Sequence, residues 1–101
     1  MEIYKLGEEL DSFNYREVQE GISAILEKGC STVLDMTACK YISSTGLRVL
    51  LYSKKVAASK GLQFCLVGMN EEVRDIMKIT GFNNFFDFFD TMDECLKVIK
   101  D

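Results

Sequence analysis

The chain has 101 residues, 48% apolar and 28% charged, an ordinary balance for a water-soluble globular domain. At this length about 60–70% of the unfolded chain's surface can be buried, so one domain over residues 1–101 with one core, needing no disulfide or metal staple, is expected. Sixteen acidic against 12 basic residues give a net charge of −4 without any cluster of Lys and Arg, which argues against direct binding of nucleic acid or an anionic membrane.

Met1-Glu2-Ile3-Tyr4-Lys5 lacks the basic patch, apolar segment and cleavage site of a secretory signal. No later run approaches the ~20 apolar residues that span a bilayer, so a cytosolic protein is expected. Ile3 to Leu10 reads as a first strand. Asn14-Tyr15-Arg16-Glu17 has the form of a capping box, with Asn14 as cap and Glu17 reaching back. Val18, Ile22, Ile25 and Leu26 then follow at helical spacing, and Lys28-Gly29 closes that helix. Thr32-Val33-Leu34-Asp35-Met36 is short, β-branched and bounded, as buried strands are.

A polar connection runs to Ser43. From Thr45, the residues Leu47, Leu50, Leu51, Lys54 and Ala58 define one face of a second helix, ended by Gly61. Leu62 to Val67 is the next strand. Gly68 turns the chain, Asn70 caps a third helix, and Glu71 and Glu72 suit its positive end. That helix carries Val73, Ile76 and Met77 and stops before Gly81. Phe85 to Phe89 reads as a last strand, and Thr91-Met92-Asp93-Glu94 as a second capping box opening a helix through Ile99. Strands alternating with helices predict an α/β fold: a mixed, mostly parallel sheet of about four strands flanked by about four helices, because parallel neighbours need crossover connections.

Five of the seven phenylalanines fall in Phe82-Asn83-Asn84-Phe85-Phe86-Asp87-Phe88-Phe89. An inner strand covered on both faces by helices explains this run, and so does an exposed aromatic patch; the covered strand is the preferred reading. Cys30, Cys39, Cys65 and Cys95 show no C-x-x-C spacing, and without any histidine they complete no zinc site. Buried, reduced thiols acting as small hydrophobes fit their apolar neighbours. A redox role needs an exposed thiol of low pKa, for which Cys39 beside Lys40 is the one candidate.

The absence of histidine also removes Ser-His-Asp and Cys-His catalysis. No serine sits in Gly-x-Ser-x-Gly, and there is no Gly-x-x-x-x-Gly-Lys-(Ser/Thr) phosphate loop. Asp35, at a strand end, is one carboxylate and makes no metal site; a hydrogen bond to the Ser44 loop is its expected role. No cofactor is implied and the chain is not read as an enzyme. In an α/β sheet, functional groups collect in loops beyond the carboxyl ends of the strands. One such loop, Thr37 to Ser43, ends in Ser43-Ser44-Thr45-Gly46 at a helix start. Ser and Thr there are good N-caps, but a cap needs only one of the three hydroxyls.

The stretch Val33-Leu34-Asp35-Met36-Thr37-Ala38-Cys39-Lys40-Tyr41-Ile42-Ser43-Ser44-Thr45-Gly46-Leu47-Arg48-Val49-Leu50-Leu51 resembles the signature of the STAS family of anti-sigma factor antagonists. In that signature an apolar strand ends in Asp-x-(Ser/Thr), and a short loop leads to Asp-Ser-(Ser/Thr)-Gly-Leu and an apolar helix. Gly7-Glu8-Glu9-Leu10-Asp11 is similar to the family's Gly-x-Leu-Asp segment with one residue inserted. The resemblance extends over nearly the whole chain. It departs from the pattern in lacking room for a full additional N-terminal strand and in having Ser43 where the pattern has an acidic residue.

The resemblance implies a protein that is phosphorylated on Ser44, or less favourably Thr45, by an anti-sigma factor that is itself a serine kinase. A metal-dependent phosphatase would reverse the modification. The unphosphorylated form would capture the kinase and free a sigma factor, through a surface made of Asp11, Thr37, Tyr41, Ser43, Ser44, Thr45, Gly46 and Arg48. A second implication keeps the fold without the switch, as an accessory or scaffold subunit of a transporter or signalling assembly. Ser44 favours the first and Ser43 in place of Asp the second.

Overall fold

The computed structural model describes residues 1–99. In chain order the elements are β1 (Glu2–Lys5), β2 (Glu9–Leu10), α1 (Tyr15–Glu27), β3 (Thr32–Asp35), β4 (Tyr41–Ile42) and α2 (Ser44–Ser59). They continue with β5 (Phe64–Val67), α3 (Glu71–Thr80), a 3-10 turn (Phe82–Phe85), β6 (Asp87–Phe89) and α4 (Met92–Leu96). A four-stranded sheet has the order β1-β3-β5-β6, and β2 pairs with β4 in a separate two-stranded ladder. Every strand pair is parallel, as the alternation of strand and helix requires.

The two central strands are buried on both faces, which accounts for their unbroken apolar runs. Period-two alternation sorts their side chains. Leu34, Phe64 and Leu66 join the main core with Leu6, Leu10, Val18, Ile22, Leu26, Leu47 and Leu50, while Val33, Cys65 and Val67 face Cys95 of α4 across the opposite side. The expected stripe of α1 is buried as read.

Several boundaries differ from expectation. Ile3–Leu10 is two strands, because the chain leaves the main sheet after Lys5, buries Leu6 and re-forms as β2 against β4. The Asn14–Glu17 capping box does not form. Asn14 makes no cap bond to α1; its Oδ1 accepts from Asp11 N and its Nδ2 donates to Glu9 O, stitching the turn instead. The buried face of α2 is Gly46, Leu47, Val49, Leu50, Ser53 and Ala57, rotated from the expected face, so Ala58 is exposed and Lys54 reaches Asp87 at 3.7 Å. Ser53 is tolerated inside because its hydroxyl donates to Val49 O. The third strand is confined to Phe64–Val67. The cap at Asn70 forms as read, accepting from Val73 N; Thr91 accepts from Glu94 N, but no return bond to the Glu94 side chain completes the box, and α4 ends at Leu96 rather than Ile99.

The Phe-rich run is neither a single strand nor an inner one. Phe82–Phe85 winds into a 3-10 turn and β6 lies at the sheet edge. Phe86 packs on Phe64 in the core, whereas Phe85 is 53% and Phe88 38% exposed. No helix among the described residues is long and apolar enough to cross a membrane.

Candidate functional site

Three connections meet beyond the carboxyl ends of the strands, and backbone bonds hold them in register. Lys40 N donates to Glu8 O at 2.7 Å and Ser43 N to Leu10 O at 2.9 Å, so the segment after β3 is laid along β2. From the other side, Asn70 Nδ2 donates to Cys39 O at 3.1 Å, tying in the start of α3. Asp35 bonds the loop that leads to Ser44 at its first residue, Thr37, and not at the serines. Its Oδ1 accepts from Thr37 N at 3.0 Å and Thr37 Oγ1 at 2.8 Å, closing a turn within its own segment.

The segment delivers Ser43-Ser44-Thr45-Gly46 to the first turn of α2. Ser43 is the cap, its hydroxyl accepting from Gly46 N at 3.1 Å. That assignment leaves Ser44 and Thr45 without capping duty. Ser44 is exposed, Thr45 half-buried, and no hydrogen bond joins the Ser44 hydroxyl to another described residue. Gly46 is buried where the helix meets β2. A Cβ there would stand 2.7 Å from Leu10 O and 2.8 Å from Leu10 Cγ, so only glycine allows this approach.

The other expected positions gather around the same end of the molecule with different degrees of exposure. Tyr41, Thr37 and Arg48 are exposed, and Asp11 is half-buried. The Asp11 carboxylate is occupied as a turn former, accepting from Phe13 N at 2.9 Å and Asn14 N at 3.3 Å. Cys39 is buried, its thiol donating to Tyr41 O at 3.5 Å. Burial raises its pKa, which a backbone hydrogen bond with Tyr41 only partly opposes, so the candidate redox thiol lacks the required thiolate character.

Two features were invisible in the sequence. Phe13 stands 97% exposed at the tip of the Asp11–Asn14 turn, three residues after Leu10, whose carbonyl accepts from Ser43 N. Its backbone is fixed by the Asp11 and Asn14 bonds, so an apolar ring is held in water by a rigid turn. Beside it, an open groove of about 600 Å³ runs between α1 and α2, lined by Ser12, Tyr15 and Gln19 on one side and Thr45, Arg48, Val49 and Tyr52 on the other. Exposure of Phe13 depends on what the fold leaves uncovered, which no local pattern encodes. The Asp11-x-x-Asn14 spacing was the available signal that the turn is fixed.

The parallel α/β sheet with a serine-bearing helix start beyond its strand ends defines the class, and comparison with known proteins places the chain within it. Residues 2–95 match the STAS domain, and the chain belongs to the STAS domain family. A Bordetella bronchiseptica protein assigned as the anti-sigma factor antagonist BtrV is 34% identical over 79 residues, 76% of this chain and 67% of that protein. A Thermotoga maritima structure, assigned as an anti-sigma factor antagonist, superposes with a TM-score of 0.86 at 23% identity over 98% of this chain and 88% of its own. A sulfate transporter family protein from Wolinella succinogenes superposes at 0.82 with 21% identity, over 95% and 81%. These two structures show the shared fold.

Proposed function

We propose that the chain is an anti-sigma factor antagonist controlled by phosphorylation of Ser44. In this reading the unphosphorylated protein binds an anti-sigma factor with serine kinase activity, phosphorylation releases it, and a metal-dependent phosphatase resets the switch. The observation that carries the reading is the division of labour in the first turn of α2: Ser43 caps the helix, and the Ser44 hydroxyl is left exposed and uncommitted. Ser43 in place of an acidic residue is consistent with this, since serine caps as well as aspartate does. The relationship to BtrV supports the class of partner.

The physics of the switch is local. Phosphate adds about −1.5 to −2 charges and three strong acceptors to a surface of hydroxyls and aromatic rings. Phe13 and Tyr41, both exposed aromatic rings, are the anchors suited to a partner pocket. A phosphate among such contacts would be desolvated without a counter-charge in the partner, and a loss of about 2.7 kcal/mol weakens binding about a hundredfold.

Incubation with the kinase and ATP, followed by mass-spectrometric mapping, is expected to place phosphate on Ser44. Ser44→Ala should bind the kinase without release by ATP, Ser44→Glu about a hundredfold more weakly, and Phe13→Ala weakly with unchanged stability. Equal binding by the Ser44 variants would leave the accessory-subunit reading, to which the transporter-family neighbour belongs in fold.

A further inference from the structure

The α1–α2 groove holds a guanidinium with no assigned task. Arg48 lies one turn after Ser44 on α2, at the i+4 position, and both side chains are exposed. Four other cations of the surface are engaged, Lys28 with Glu2, Lys40 with Glu8, Lys54 with Asp87 and Arg74 with Asp90, whereas Lys5, Lys55, Lys60, Lys78 and Lys97 make no ion pair with a described residue. Arg16, on the α1 side, donates to the Tyr15 hydroxyl at 3.1 Å and stacks over that ring at 5.7 Å. Arg48 makes no ion pair with any described residue. Long helical side chains lean toward the preceding turn, so the surface Arg48 covers is the turn that carries Ser44 and Thr45.

We infer that Arg48 is the internal counter-ion of the Ser44 phosphate, folding back along α2 to clasp it once it is formed. The inference rests on the proposed modification of Ser44 and adds to it what the protein does with the new charge. Phosphate oxygens and guanidinium pair through two parallel N–H···O bonds, a geometry that an i, i+4 pair on one helix face allows. One modification then changes two groups: the partner meets a phosphate, and the cation lining the groove is withdrawn into an intramolecular pair.

The neighbouring charges do not supply a substitute. The Asp11 carboxylate is bound to two amides, Lys40 is paired with Glu8, and Glu20 lies with Arg16 in the adjoining groove. A positioning role for Arg48 therefore has its own signature, a phosphate second pKa held down by a single adjacent cation.

The test installs phosphoserine at position 44 by genetic encoding, which does not depend on any kinase, and follows the phosphorus-31 shift with pH at low salt. Arg48→Ala should raise the phosphate's second pKa by about 0.3–0.7 units, the range of an exposed ion pair. Arg48→Lys should restore part of that shift, and 0.5 M salt should compress the difference. Lys60→Gln, the same charge change at the far end of α2, should leave the titration unmoved. Superimposable curves for the parent and Arg48→Ala, or an equal shift in Lys60→Gln, would overturn the clasp. Failure of the kinase to modify Ser44 would instead sink the switch and leave this result standing.

Discussion

Gly46 shows at a single residue how the site depends on close packing rather than on a reactive group. The start of α2 lies directly on β2, and a methyl group at position 46 would press on the Leu10 carbonyl, which is backbone and has little room to retreat. Gly46→Ala is expected to cost about 1–3 kcal/mol, the usual penalty of overpacking, although alanine is the better helix former. A lower urea midpoint at unchanged slope would show this. On the proposed function, the same substitution should weaken binding of the kinase partner by tilting the turn that presents Ser44. A neutral or stabilising effect would mean that α2 can slide away from β2 without loss.

Among the elements, α2 carries the candidate site at its first turn. Its cap is now a single side chain, so Ser43→Ala should lose about 1 kcal/mol in a denaturant titration, while Ser43→Asp should hold its stability because aspartate caps equally well. Equal losses in both would assign the cap elsewhere. Helical stripes and most caps were legible because they are local: the buried face of α1 followed from Val18–Leu26 and the bounds of α3 from Asn70 and Gly81, the last adopting the left-handed conformation at φ 77°, whereas the Asn14 cap was drawn off into the preceding turn. The serine triplet and its flanking strand were legible for the same reason. The Phe82–Phe89 run was not, since an apolar run does not report its position in a sheet. Strand order made it an edge, and the 3-10 turn consumed its first half. The division of Ile3–Leu10 was hidden likewise, because pairing of β2 with β4 is a contact between distant segments. Lys54 looked like part of a helical face by spacing alone, yet Ser53 occupies the core once its hydroxyl finds Val49 O.

For the molecule as a whole, the layer between the sheet and α4 contributes to how stability responds to alkali. Cys65 and Cys95 face each other in that layer with Val33 and Val67, away from the main core. Burial, then the neighbouring Cys95 and Asp87, pushes the Cys65 thiol up to about 12 from its ordinary 9.0, with Lys54 pulling weakly the other way. Burial raises Cys39 and Cys95 as well. A thiol that ionises more readily in the unfolded chain than in the folded one favours unfolding once the unfolded form loses its proton. Stability from this source is therefore complete below pH 9.0 and falls as pH rises toward about 12. Urea midpoints measured under reductant should be level near neutrality and decline through pH 9 to 10.5. Lysine and tyrosine titrate in the same range, so the thiol is isolated by comparison with Cys65→Ala. That variant should start lower, having lost packing against Val33 and Val67, but should decline less over the same interval. Identical declines would mean that water reaches the layer beneath α4 and that the thiol titrates there as it does in the open chain.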